Sequence, residues 1–232
     1  MYYYDYSYIV LIPAILFTLW AQAKVKGAFR QYSKVANSHR ISGYEAARRM
    51  LDANGLNDVP INVIGGDSLT NYYDPRTKSL NLSSEVYQQP SIASMCIACH
   101  EAGHAVQDAE HYGALAFRNA IVPAVNLTQM AAWPLILIGL VLTASSMYGT
   151  MLFNLGVICF CVVILFHLVT LPVEFNASNR ALVQMQQLGM VDSDDYKGSK
   201  RVLSAAAMTY VAALAVAVAN LLRILIIAGR RD

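Results

Sequence analysis

Two histidines four residues apart are the side chains in this chain that are best placed to do chemistry. His100 and His104, with Glu101 directly after the first, match the pattern His-Glu-x-x-His. Residues four apart lie on one face of a helix, so both imidazoles could bind one metal ion. The Glu101 carboxylate would lie beside that ion, where it can take a proton from a metal-activated water. The pattern therefore predicts a hydrolytic zinc site with Glu101 as its general base.

The segments around this pair predict a small domain of helices and strands. Pro90 and Ser91 make a suitable start for a helix that carries the motif, and no Gly or Pro interrupts residues 92–99. A second helix is expected over residues 41–54. Short strands are expected at residues 60–64, 69–73 and 79–82. The last strand directly precedes the motif helix, and we predict that it is an exposed edge to which an extended substrate adds through main-chain hydrogen bonds. The residues of this predicted edge strand are Ser79, Leu80, Asn81 and Leu82.

The composition indicates an integral membrane protein. The chain has 232 residues, of which 56% are hydrophobic and 14% charged, whereas soluble domains are about 25% charged. The apolar residues form runs at 8–21, 130–147, 151–171 and 202–228, and the segment 112–129 is semi-apolar and is expected to break at Pro123. Cys96 and Cys99 fit a Cys-x-x-Cys pattern, but no second pair lies in a polar segment, so they are expected to be buried hydrophobes. The net charge of +2 gives no indication of nucleic acid.

The expected fold is a mainly α membrane protein. It has about four transmembrane helices and a small α/β zincin-like catalytic domain that carries the His-Glu-x-x-His helix. Between Lys24 and Arg49, Lys and Arg outnumber the single acid Glu45, so this segment and the active site are expected to face the cytoplasm, with the N-terminus outside. The expected parts are an N-terminal anchor at 1–23, the catalytic domain at 24–129, a transmembrane hairpin at 130–171, a polar segment at 172–201 and a C-terminal transmembrane helix at 202–232.

A catalytic zinc site needs a third protein ligand, which leaves one position for water. Glu174 follows the third apolar run. A hairpin of two spans starts and ends on one side of the membrane, so Glu174 returns to the side of the motif helix. We predict that His100, His104 and Glu174 bind the metal.

Three other side chains compete for the position of third ligand. Glu110 has the spacing at which some zinc proteases place a third histidine, but that pattern needs a glycine at position 107, where this chain has Gln107. His111 is one residue out of register for the same pattern. His167 lies inside an apolar run, where a packing histidine is the simpler interpretation.

With these residues in hand, the chain resembles the YugP-type family of membrane zinc metallopeptidases. The resemblance rests on residues 100–104 and on the sequence Leu-Pro-Val-Glu-Phe-Asn-Ala-Ser at residues 171–178, and it extends nearly from end to end. More distantly, the chain is similar to the membrane protease HtpX and to the CAAX prenyl proteases, whose third ligand lies in Glu-x-x-Ala-Asp. The resemblance implies a Zn²⁺ cofactor and peptide hydrolysis. Ser178 stands where those relatives have the Asp that orients a zinc-bound histidine, and a serine accepts the same hydrogen bond more weakly.

We expect a membrane-embedded zinc-dependent endopeptidase that hydrolyses membrane or membrane-proximal proteins through a zinc-activated water. Arg180 and Tyr210 are candidates for binding the substrate or stabilising the oxyanion. Two other classes stay open. One is a non-proteolytic membrane chaperone or adaptor with the same fold. The other is a zinc-dependent transporter or channel, for which His167 and Arg223 are too few ionisable residues within the spans.

The expected partners are a membrane-associated protein or peptide substrate, the lipid bilayer and a regulatory membrane partner, but no nucleic acid. The expected location is a prokaryotic cell membrane, crossed several times, with the active site on the cytoplasmic side.

Overall fold

The computed structural model describes residues 6–67, 69–142 and 147–229 and is mainly helical. A 3₁₀ turn at Tyr6–Val10 leads into the first helix. The helices are α1 (Leu11–Tyr32), α2 (Gly43–Ala53), α3 (Ser84–Gln88), α4 (Ile92–Ala109), α5 (Gly113–Leu142), α6 (Met147–Gln187) and α7 (Ser193–Gly229). The strands are β1 (Ile61–Ile64), β2 (Tyr72–Asp74) and β3 (Ser79–Ser83). Parts of the expected anchor and C-terminal helix, at residues 1–5 and 230–232, lie outside the described residues.

Within the described residues, four helical segments are long and apolar enough to cross a membrane. They are Ser7–Tyr32, Gly113–Leu142, Met147–Gln187 and Ser193–Gly229. These segments contain the apolar runs 8–21, 151–171 and 202–228 and residues 130–142 of the run 130–147. Residues 143–146 of the expected hairpin lie outside the described residues. The expected break at Pro123 is wrong, because α5 continues through both Pro123 and Pro134. A proline costs one backbone hydrogen bond, and a long apolar helix can tolerate this where neighbouring groups satisfy the freed carbonyl.

The chain forms two compact units. One, the membrane unit, comprises Met1–Trp20, Phe117–Leu171 and Tyr210–Asp232. The other, the polar unit, comprises Ala21–Ala116 and Pro172–Thr209. The polar unit thus joins most of the expected catalytic domain to the expected polar segment, whereas residues 117–129 fall in the membrane unit.

The core of the polar unit is built around α2 and α4. Ser42 caps α2 in a reciprocal arrangement with Glu45, in which each side chain bonds the backbone N–H of the other residue. The buried face of α2 includes Met50 and Leu51, which lie in one apolar cluster with Met95 of α4. Leucines of β3 complete the same cluster. This packing fixes α4, the helix that carries the metal-binding pattern.

The sheet has the order β1-β3-β2. β1 runs parallel to β3, and β2 runs antiparallel to it. The prediction that Ser79, Leu80, Asn81 and Leu82 form an exposed edge is therefore wrong. They lie in the central strand, and all five residues of β3 are buried. The reason is a non-local pairing: β1 occupies one side of β3, where the Leu80 N–H donates to the Pro60 carbonyl at 2.9 Å. The outer strands are β1 and β2.

Candidate metal centre

Helix α4 places the two histidine side chains side by side. Ser91 caps its N-terminus by accepting a hydrogen bond from the Ser94 N–H. One turn separates His100 from His104, and their ring centroids lie 4.9 Å apart in an edge-to-face arrangement. His104 is buried and His100 is partly buried. The helical spacing thus places the two histidines on one face of α4.

Helix α6 supplies the third side chain through a close approach at Gly103. A Cβ atom on Gly103 would lie 2.9 Å from the backbone carbonyl oxygen of Ala177. Ala177 is itself fully buried. Because neither helix carries a larger side chain at this point, α6 comes close enough for Glu174 to reach both histidines.

The three side chains converge on one point. Glu174 Oε2 lies 3.3 Å from His100 Nε2 and 3.6 Å from His104 Nε2. The ligand atoms of the three residues all lie within 4.8 Å of one another. Tetrahedral zinc with bonds of about 2.0–2.2 Å to nitrogen and oxygen separates neighbouring ligand atoms by about 3.3–3.6 Å. These residues therefore fit a zinc ion in both chemistry and spacing.

The other ring nitrogen of each histidine has a partner of its own. Ser178 Oγ lies 3.1 Å from His100 Nδ1, and Gln107 Oε1 lies 3.0 Å from His104 Nδ1. A partner that accepts a hydrogen bond from Nδ1–H leaves the Nε2 lone pair for a metal. Both imidazoles are thus oriented with Nε2 towards Glu174.

Comparison with known proteins identifies the family. A sequence model of the family described as "Putative neutral zinc metallopeptidase" matches residues 7–229. The chain is also 45% identical over 216 residues to the "Putative membrane protease YugP" of Bacillus subtilis (strain 168), with 93% of each chain covered. The chain belongs to this zinc metallopeptidase family. No solved structure matches it.

Membership of the zinc metallopeptidase family confirms the resemblance drawn from the sequence and makes Zn²⁺ the cofactor. The convergent donors of His100, His104 and Glu174 are the group within the described residues that could hold it.

Glu101 lies on the same helix, next to a metal-ligand candidate. Its Oε2 accepts a hydrogen bond of 3.2 Å from the Tyr73 N–H of β2. Burial raises the pKa of the Glu101 carboxyl group, against the opposing effect of the His100 and His104 imidazoles. A carboxylate with a raised pKa is a more effective general base near neutral pH. The environment of Glu101 thus suits the role that the sequence predicts for it.

The competing ligands of the sequence lie elsewhere. Glu110 is the C-cap residue of α4, and its Oε2 pairs with Arg180 Nη2 at 2.7 Å. His111 has a left-handed backbone, with φ of 54°, and an exposed side chain. His167 lies on α6 within the membrane unit. Of the described residues, none of these three belongs to the convergent group.

The two candidate oxyanion residues have different surroundings. Arg180 donates from Nε to Asn176 Oδ1 at 2.7 Å, besides its ion pair with Glu110. Tyr210 lies on α7 in the membrane unit. The oxyanion role stays a prediction for both.

Sequence reasoning missed one residue of the site, Gln107. It lies three positions after His104 on the same face of α4, and its side chain is fully buried. Its spacing from His104 places it on the same face of the helix, but spacing alone does not show that a polar side chain is buried.

Proposed function

We propose that this protein is a membrane-embedded zinc-dependent endopeptidase of zincin-like architecture that cleaves membrane or membrane-proximal proteins. The observation that carries the proposal is the convergence of the His100 and His104 Nε2 atoms on Glu174 Oε2, with the Glu101 carboxylate one residue away. Membership of a zinc metallopeptidase family supports the same reaction class.

In the proposed reaction, His100, His104 and Glu174 hold the metal. Zinc, when bound there, supplies Lewis-acid chemistry that activates water and polarises the scissile carbonyl. Glu101 takes a proton from the attacking water and delivers it to the departing amine. The Tyr73 N–H holds the Glu101 carboxylate in place between these two proton transfers.

The proposed substrate class follows from the position of Glu174 along α6. The apolar part of this helix in the membrane unit ends at Leu171, and Glu174 comes within one turn of it. A metal held there favours substrates that lie in or close to the bilayer. The basic segment between Lys24 and Arg49 supports a site that faces the cytoplasm.

Replacing Glu101 by glutamine tests the reaction. The amide keeps the size of the side chain but cannot take a proton, so cleavage of a quenched fluorescent peptide library should fall on the order of 10²–10⁴-fold. Zinc content, measured by mass spectrometry on the detergent-purified protein, should stay the same. Asp67→Asn, which makes the same change in an exposed loop carboxylate, is the matched control and should keep full activity.

Near-normal cleavage by zinc-loaded Glu101→Gln would show that Glu101 is not the general base. If the zinc-loaded natural sequence cleaves neither the library nor reconstituted membrane proteins, the alternative of a non-proteolytic chaperone or adaptor is favoured instead.

A further inference from the structure

A chain of polar contacts leads from His104 to the surface of the polar unit. His104 Nδ1 lies 3.0 Å from Gln107 Oε1. Gln107 Nε2 lies 2.9 Å from Asn176 Oδ1. Asn176 Oδ1 also accepts from Arg180 Nε at 2.7 Å, and Arg180 Nη2 pairs with Glu110 Oε2 at 2.7 Å. These contacts thus connect the C-terminal part of α4 to α6 at two places, through Gln107 and Asn176 and through Glu110 and Arg180.

The direction of every contact is fixed by chemistry. Arginine has only donors, so Asn176 must present its carbonyl oxygen to Arg180. Gln107 Nε2 donates to that same oxygen and to the Val173 carbonyl, each at 2.9 Å. The carbonyl end of Gln107 therefore faces His104, where it accepts a hydrogen bond from Nδ1–H. Rotating the buried Gln107 amide by half a turn would set oxygen against two oxygens and place a donor against the Nδ1–H.

We propose that Gln107 and Asn176 are positioning residues, through which the Arg180–Glu110 pair holds His104 in the tautomer that directs its Nε2 lone pair at the metal. This inference rests on the proposed zinc site. It assigns Arg180 a positioning role, in place of contact with the oxyanion, and it assigns Glu110 to the outer end of the network, where its side chain is 52% exposed.

The expected effect is on metal affinity. Removing the group that orients a metal-bound histidine typically weakens metal binding about 10–100-fold. At position 176 the network needs one acceptor oxygen. An aspartate keeps that oxygen in place, so Asn176→Asp should not lower zinc affinity. An apolar side chain of similar size lacks the oxygen and should lower it.

The test is zinc affinity, measured on the detergent-solubilised full chain by competition with a chromophoric chelator. Gln107→Leu and Asn176→Leu should each bind zinc about 10–100-fold more weakly than the natural sequence. Asn176→Asp should bind as tightly as the natural sequence. Asn179→Leu, an exposed position on the same helix, is the matched control and should also leave affinity unchanged. Thermal unfolding of the metal-free variants shows whether a Leu variant is folded.

A second readout separates positioning from oxyanion stabilisation by Arg180. Under the positioning role, Arg180→Met weakens zinc binding and changes the visible spectrum of the Co²⁺-substituted protein. Under the oxyanion role, Arg180→Met leaves affinity and spectrum unchanged and lowers only kcat.

Three results would overturn the inference. They are natural zinc affinity in folded Asn176→Leu, an affinity of Asn176→Asp as weak as that of Asn176→Leu, and unchanged zinc affinity and Co²⁺ spectrum in folded Arg180→Met. Failure of the proposed function looks different, because then the natural sequence itself would not bind zinc tightly, or would bind it without cleaving any peptide.

Discussion

His100 and His104 differ in the group that orients them. His100 faces the hydroxyl of Ser178, whereas His104 faces the amide oxygen of Gln107. A hydroxyl is the weaker and more mobile acceptor, because it can also rotate to donate. The orientation of His100 is therefore the easier of the two to strengthen.

Substitutions at Ser178 test this difference. Ser178→Ala removes the acceptor and should weaken zinc binding on the order of tenfold. Ser178→Asp supplies a charged acceptor and should match or exceed the natural affinity. Chelator competition measures both variants. Affinity in Ser178→Ala equal to that of the natural sequence would show that Ser178 has no part in orienting His100.

Among the residues of the site, the sequence predicts those that a characteristic spacing or segment identifies. The four-residue separation of His100 and His104 identifies the pair, and the segment around Glu174 supplies the third candidate. Gln107 escapes detection because a polar residue on a helix usually faces solvent. Only the packing of α6 against α4 buries Gln107 and gives its amide three partners.

The contact between α4 and α6 is the packing feature on which the centre depends. Gly103 lets the backbone of Ala177 come within reach of α4, and the same crossing brings Glu174 to the two histidines. The cost of an added methyl group at this point should therefore appear in metal binding as well as in stability.

Gly103→Ala tests the crossing. Alanine favours a helix interior over glycine by about 0.5–1 kcal/mol, but overpacking a tight contact costs about 1–3 kcal/mol. We expect a net loss of stability and weaker zinc binding, because α6 must move away from α4. Gly113→Ala is the control, since a Cβ there meets no atom within 4 Å. Thermal unfolding and zinc affinity are measured on both. Unchanged zinc affinity in Gly103→Ala would mean that the crossing does not position Glu174.

The elements that sequence reasoning misjudged are those decided by distant contacts. β3 is the last strand before the motif helix, which suggested an edge, yet its parallel pairing with β1 makes it central. No local turn signals such a pairing, because another strand lies between the two in the chain. In α5, the local sequence around Pro123 is typical of the end of a helix, whereas the helix continues on both sides of this proline.

For the whole molecule, the main inference is how the chain crosses the membrane. Three of the four apolar helices were predictable because each holds a run of 18 or more apolar residues, about the length that spans a bilayer. The first run, at 8–21, is shorter, and its helix is long enough to span because it extends to Tyr32. The orientation rests on the basic segment between Lys24 and Arg49, and an even number of spans returns the chain to the side on which it started. Residues 33–112 would then face the cytoplasm, and the N-terminal end of α6 would face outside.

Cysteine labelling of intact cells tests this orientation. His39→Cys, at an exposed position, should react with a membrane-impermeant maleimide only after the cells are permeabilised. Tyr148→Cys, which is 74% exposed near the start of α6, should react in intact cells. The natural sequence is the control for its own four cysteines. Labelling in the reverse pattern would show that the active site faces outside.

Zinc content of purified variants tests the central claim most directly, because His100 and His104 lie on α4, before the expected hairpin at residues 130–171, and Glu174 lies on α6, just after it. We predict that Glu174→Ala loses bound zinc and all peptide cleavage, while Glu110→Ala and His111→Ala still bind one zinc per chain. Stoichiometric zinc in Glu174→Ala, together with its loss in Glu110→Ala or His111→Ala, would contradict the account and place the third ligand next to α4.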